Sequence, residues 1–178
     1  ASPTGKDLVT TIPYDGFGRQ LDSWLHAPMT SLNGGIQTGV EGAATGFYGD
    51  TNPYSQKVLE NSPLDRIQKQ IQAGQDWSAK PVTFDYLAVQ ATDLVKKYTF
   101  TTGWGSDGAT TFTTPTSTIY ADNTLYKNSV KDEDGSETIE FKNGRGQTIL
   151  VRKVLSSTEN ADTYYVYNDY DQLTYVIS

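Results

Sequence analysis

The last third of the chain constrains the fold most. From residue 124 it reads "TLYKNSVKD", "ETIEFKN", "TILVRKVLS", "TYYVYND" and "QLTYVIS", joined by "EDGS", "GRGQ", "STENAD" and a final Asp-rich turn. Short β-prone runs recur roughly every ten residues, with Gly, Asn and Asp between them, which is the pattern of antiparallel hairpins. The composition agrees. The chain has 12 Tyr, abundant Thr, 16 Gly and 7 Pro. Tyr and Thr suit a pleated, half-buried surface, and scattered Gly and Pro punctuate turns. At 178 residues the chain can bury a core without covalent staples. It has no Cys, which excludes disulfides and thiolate metal sites.

Charge narrows the function classes. The net charge is -7 and the isoelectric point about 4.6, so most of the surface repels phosphate backbones and nucleic acid is not an expected partner. No polybasic cluster addresses an anionic membrane. No run of about 18 apolar residues exists, so membrane insertion is not expected. The start "ASPTGKDLV" carries no signal-peptide pattern and reads as the entry to a first strand, with Ala1 a candidate cloning remnant. The chain is expected to be a fragment of something longer.

The first two thirds are less regular. "DLVTTIPY" reads as a strand that ends at Asp15-Gly16, with "RQLDSWLHAP" as its return strand. Residues 29–52, rich in Gly, Thr and Asn, read as a long surface loop with little regular structure. "SPLDRIQKQIQAG" fits a helix with Ser62 as N-cap, Pro63 in first position and Gly74 as stop. It also fits two strands, "KVLE" and "RIQKQIQ", and the strands are preferred because of a motif described next. "VTFDY" and "KKYTFTT" read as strands with a short helix between, near Val89–Leu94. "GWGSDG" reads as a loop, and "ATTFTTPTSTIYA" as β structure broken by Pro115.

The motif is "PYDGFGRQ", residues 13–20. Tyr14 offers a large cross-strand partner with a polar tip. Asp15 can bond its own backbone two residues on and start a turn. Gly18 can take the positive φ that closes a hairpin. Arg19 can lie over aromatic faces and pair with carboxylates. Tyr167, Asn168, Asp171 and Gln172 stand at the same offsets. "FKNGRGQ", from Phe141 through Gly146 to Gln147, is a third relative, read with one extra residue before its Gly. "LENSPLDR", Leu59 to Arg66, is a fourth, with Pro63 in its turn. Weak internal repetition of this kind changes the architecture expected.

These blocks resemble the YD-repeat (Rhs) proteins, whose units carry Tyr-Asp-x-x-Gly-Arg. More closely, the chain resembles the region preceding the repeat array in large cell-surface YD-repeat proteins of Gram-negative bacteria. The resemblance runs through "YDGFGRQ", "NPYSQKVLENSPLDRIQKQIQAGQDW", "LYKNSVKDEDGSETIEFKNGRGQTILVRK" and "TYYVYNDYDQLTYV". It implies antiparallel hairpins coiling into a long sheet or hollow shell that serves as a scaffold, sometimes around a toxin domain. Carbohydrate binding or adhesion is discussed for some members. It implies a secreted or surface location. Only the first unit is a full match, the self-cleavage signature of the repeat core is absent, and no catalytic activity carries over.

Other sites are weaker. His26 has no evident partner. "KDEDGSE" places Asp132, Asp134 and Gly135 like the start of a calcium loop, but position 143 is Asn where a bidentate Glu is needed. A hairpin turn with solvated carboxylates is the plainer reading. Paired carboxylates for glycoside hydrolysis cannot be picked out among 21 dispersed acids. Trp104 between glycines, and Phe47-Tyr48 in a Gly-rich stretch, are the candidate ligand-binding aromatics. Trp24 and Trp77 are expected to pack against the sheet. Tyr164, Tyr165 and Tyr167 fall on both faces of one strand.

The expectation is therefore a single mainly β domain of antiparallel hairpins, residues 1–178, with at most one or two short helices, in a coiled or curved sheet. Its expected role is a non-catalytic structural module, monomeric as a fragment and packing against neighbouring YD repeats of the same polypeptide. It needs no cofactor or metal. The alternative is a carbohydrate-binding or adhesion module with a glycan partner at Trp104, and the third is a glycoside hydrolase.

Overall fold

The computed structural model describes residues 5–178; the first four residues, read above as the entry to a strand, lie outside the described residues. The fold is mainly β and antiparallel, with one α-helix among the described residues. The chain gathers into two compact units, dividing between Thr83 and Phe84. Among the described residues no helix is long and apolar enough to cross a membrane.

The first unit holds β1 (Leu8–Val9), β2 (Asp22–Trp24), β3 (Ala27–Pro28), α1 (Val40–Tyr48), β4 (Tyr54–Leu59) and β5 (Ile67–Ile71). Residues 7–14 and 19–28 do not form the simple hairpin expected. β1 pairs with β3, while β2 pairs with β4, Ser23 opposite Ser55. The return segment is thus split between two partners, and the Thr10 hydroxyl bridges the split by donating to the Trp24 carbonyl at 2.8 Å. The stretch that fits either a helix or two strands forms the strands, as preferred: β4 and β5 pair antiparallel with Val58 opposite Lys69.

The expected loop over residues 29–52 is corrected. It contains α1, flanked by Gly39 and Gly49, both left-handed at φ 71° and 63°. A glycine in that conformation just past the last turn is a common helix stop, because it carries no Cβ to clash. The helix is poor in intrinsic propensity, with Gly42 and Gly46 inside it. It exists by burying Val40 and Ala44, and the Tyr48 hydroxyl donates to the His26 carbonyl at 2.9 Å. Trp24 packs its ring 4.6 Å from that of Tyr54. Trp77 does not pack as expected: it sits on a 3-10 turn at Gln75–Trp77 and is 42% exposed.

β6 (Val82–Ala88) carries the chain from one unit to the other. The second unit continues with a 3-10 turn at Ala91–Asp93, β7 (Lys96–Thr99), β8 (Thr102–Trp104), β9 (Thr110–Phe112) and β10 (Thr116–Ile119). Then comes the meander β11 (Tyr126–Lys131), β12 (Glu137–Lys142), β13 (Thr148–Val154), β14 (Asn160–Tyr167) and β15 (Leu173–Ile177), each antiparallel to the next. Of residues 103–108, read as a loop, Gly103 and Trp104 instead end β8, with Trp104 opposite Thr110, while 105–108 form a tight turn.

The core of this unit forms where residues 89–125 fold over one face of the meander. Val89, Val95 and Leu125 from that crossover bury against Ile139, Phe141, Ile149, Leu150 and Tyr164. Polar ties fix the crossover. The Arg152 guanidinium grips Asp162 with two bonds of 2.7 Å, donates to the Asp93 carbonyl at 2.8 Å, and lies 5.9 Å from the Phe141 ring centre. The Asp162 hydrogen bond raises the Arg152 pKa above its already high ordinary value, so the cation persists beside the core. Lys127 donates to Asp93 at 2.6 Å.

Candidate functional site

The sequence motif resolves into one repeated object, a five-residue turn. In the first copy the Asp15 N–H donates to the Arg19 carbonyl at 2.9 Å and the Gly18 N–H to the Asp15 carbonyl at 3.0 Å. The Asp15 carboxylate then accepts the backbone N–H groups of Phe17 and Arg19, each at 2.9 Å. One oxygen thereby satisfies two donors that no strand partner reaches, which is what an Asx turn supplies. Gly18 takes φ 77° to close the loop.

Asn143 makes the same set with Arg145, Gly146 and Gln147, and Asn168 with Tyr170, Asp171 and Gln172. The reading of "FKNGRGQ" is corrected: Asn143 is the counterpart of Asp15, no residue is inserted, and Lys142 stands where Tyr14 does. Phe141 is a fully buried core residue rather than a turn residue. Asp132 makes the set too, with Asp134, Gly135 and Ser136. The stretch that resembled a calcium loop is thus a turn of the same kind, its Asp132 oxygen already accepting two N–H groups. Among the described residues, no three His, Asp or Glu side chains gather as metal ligands. Gly105 to Ala109 repeats the backbone pattern with no side chain in first position, and Asp107 accepts the Ala109 N–H instead.

A second relation links the first and fifth positions. Asp15 receives Arg19 Nε at 2.8 Å. Asn143, which has an amide N–H where Asp15 has a second oxygen, donates at 2.7 Å to Gln147 Oε1; Asn168 donates at 3.0 Å to Gln172 Oε1. At Asp15 the partner is Arg and at Asn143 and Asn168 it is Gln, because the spare atom of the first residue changes from acceptor to donor, while the Asp132 turn has Ser136 in fifth place. The Asn copies are chemically complete.

A third relation joins one turn to the next. Arg19 also bonds the Asp65 carboxylate, and Arg145 bonds the Asp171 carboxylate. Both acceptors are aspartates at the left-handed closing position of the neighbouring turn, at φ 50° and 63°. The Asp65 turn is two residues longer than the others. Its Glu60 N–H donates to the Arg66 carbonyl, and its carboxylate holds Arg66 with two bonds of 2.8 Å. The Arg66 hydrogen bond, followed by one from Ser62, pulls the Glu60 carboxyl down to about 2. The backbone N–H of Arg19 is the first cause that keeps Asp15 below the usual carboxylate range.

The tyrosines are not what the copies share. Tyr14 is 67% exposed, while Tyr167 packs against the core; Lys131 and Lys142 fill that position elsewhere. Arg19 lies over the Phe17 ring, 5.0 Å from its centre. Among the candidate ligand-binding aromatics, Trp104 is 65% exposed at the end of β8. Phe47 and Tyr48 end α1, their rings edge-on at 5.0 Å. His26 is exposed.

Residues 1–88 match the model of a family described as a domain of unknown function (DUF6443). No curated protein matches the chain. No solved structure matches it either.

Proposed function

We propose that this chain is a non-catalytic structural module of a large secreted or surface-exposed protein of the YD-repeat type, with hairpins that pack against further hairpins of the same polypeptide. The observation that carries this reading is the turn itself. One hydrogen-bond set recurs at Asp15, Asp132, Asn143 and Asn168, and arginine links join adjacent turns at two places. A repeated self-satisfying turn with a side chain reaching the next turn is what a stack of hairpins requires. Coiling of the sheet belongs to the same proposal. Bulges between Val58 and Leu59, Phe141 and Lys142, and Val166 and Tyr167 each adjoin a turn, and bulges increase local twist.

The test is backbone hydrogen exchange of residues 5–178 alone and within the longer polypeptide. The scaffold reading expects added protection across exposed strand positions in the longer chain. Identical protection in both would remove it.

One observation favours a second reading, an adhesion module that stacks a glycan on Trp104, whose ring is 65% exposed. A glycan array should then show retention that Trp104→Ala abolishes; a folded chain that retains no glycan leaves that reading without support.

A further inference from the structure

The dipeptide Asn-Gly stands at two places in the chain, Asn33–Gly34 and Asn143–Gly144. A glycine nitrogen has no Cβ beside it to hinder its approach to the Cγ of the preceding asparagine. The two copies have different surroundings. Asn143 is tied at every side-chain atom: its oxygen accepts the Arg145 and Gln147 N–H groups, each at 3.0 Å, and its amide nitrogen donates to Gln147 at 2.7 Å. Asn33 lies exposed between β3 and α1. There the Gly34 N–H donates to the Asp7 carboxylate at 3.0 Å, and the Gly35 N–H donates to Asn33 Oδ1 at 3.0 Å. Asp7 is fixed in place beside β1. Its N–H donates to the Ser31 carbonyl at 3.0 Å, its carbonyl accepts the Met29 N–H at 2.8 Å, and its carboxylate accepts the Ser31 hydroxyl at 3.2 Å. Gly34 holds φ 62°, with nothing within 4 Å of where a Cβ would stand.

Three parts of a reaction are thus assembled on one side chain. A carboxylate sits on the N–H of the attacking nitrogen, within the reach that general-base catalysis needs. A backbone N–H points at the oxygen where negative charge would develop. The electrophile is the adjacent Asn33 amide carbon, so ring closure is intramolecular. We propose that Asn33 is a self-modification site, which deamidates through a cyclic imide with Asp7 as the base. Asp7 takes the Gly34 N–H proton as the Gly34 nitrogen bonds to Asn33 Cγ, and the Gly35 N–H holds the resulting oxyanion. Collapse of that intermediate re-forms the carbonyl and breaks the Cγ–Nδ2 bond, and ammonia leaves with the proton returned by Asp7. Water then opens the ring. Attack at Cγ restores the ordinary peptide with an aspartate at position 33. Attack at the main-chain carbonyl leaves Gly34 joined through Cγ, an isoaspartyl link with one more carbon in the backbone. Either product sets a new carboxylate close to Asp7. The site stands whether or not the chain is a scaffold module.

The experiment is a timed incubation of the whole chain at neutral pH, folded and in urea, with peptide mapping by mass spectrometry and isoaspartate detection. In the folded chain Asn33 should convert at least about tenfold faster than Asn143, the order of a modest general-base contribution. It should also react faster than it does in urea, where the two sites should become equal. Both aspartyl and isoaspartyl products should form at position 33. Asp7→Asn keeps the backbone bonds to Met29 and Ser31, and should slow Asn33 about tenfold in the folded chain while leaving Asn143 and the urea rates unchanged. Ser31→Ala removes the other bond to the carboxylate and should not slow the reaction. A loss there equal to that of Asp7→Asn would trace the rate to loop shape and overturn the role of Asp7. The inference also fails if Asn33 is no faster folded than in urea, if Asn143 keeps pace with it, if folded Asp7→Asn reacts as the parent does, or if no isoaspartyl product forms.

Discussion

At the scale of single residues, the pairing of first and fifth turn positions makes a direct prediction. Gln147→Arg sets a guanidinium against the Asn143 amide N–H, donor facing donor, and should cost about 1 kcal/mol in urea unfolding. Adding Asn143→Asp restores the combination seen at Asp15 and Arg19, and should recover most of that loss; a double variant no better than the single one would break the rule. The closing position is tested at Gly146, where a Cβ meets nothing within 4 Å but φ is 81°, so the cost is purely backbone. Gly146→Val should lose about 1–2 kcal/mol, and Gly146→Asp clearly less, because aspartate tolerates the left-handed region and already does so at Asp171. Glu60 supplies a pH signature. Its folded pKa of about 2 lies below its ordinary 4.5, so its contribution is present above pH 4.5 and lost as pH falls toward 2. In that window Glu60→Gln should show a flatter fall of the urea midpoint with pH than the parent.

At the scale of elements, Phe141 shows how strand and crossover depend on each other. It is fully buried between the β11–β15 meander and residues 89–125, and Phe141→Ala should cost about 3–5 kcal/mol by chemical denaturation. The strands of this region were legible because apolar alternation and turn residues agree over residues 124–178. The preference for strands in β4 and β5 came from the turn motif and not from periodicity, since Leu64, Ile67 and Ile71 fit a helix equally well. Helix α1 was illegible because four glycines in and around it mask its pattern, and burial of Val40 and Ala44 is a tertiary matter that local propensity does not encode. The turn at Asp132 was legible as a hairpin turn, but its kinship with the Asp15 turn was not, because its letters lack the Tyr and the Arg. The physical requirement is only an oxygen in first place and a residue tolerant of positive φ in fourth. The Arg–Asp links between turns were hidden for a simpler reason: they join residues 46 and 26 positions apart.

At the scale of the whole molecule, the two units differ in what they bury. The second has the eight-residue cluster around Phe141, whereas the buried apolar residues of the first are small, Ala27, Val40 and Ala44 among them. Hydrogen exchange should therefore be slowest in β12–β14, with the first unit opening at lower free energy. Equal protection in both would contradict this division. The Asn–Gln turns carry a consequence for how such chains age. Each needs only two compatible choices of side chain and one permissive backbone position, so successive substitutions can pass through Asp–Arg and Asn–Gln forms without a broken intermediate shape. The spelling of the unit can erode over generations while its outline survives. Ancestry among hairpins of this kind is better sought in the geometry of their bends than in shared letters.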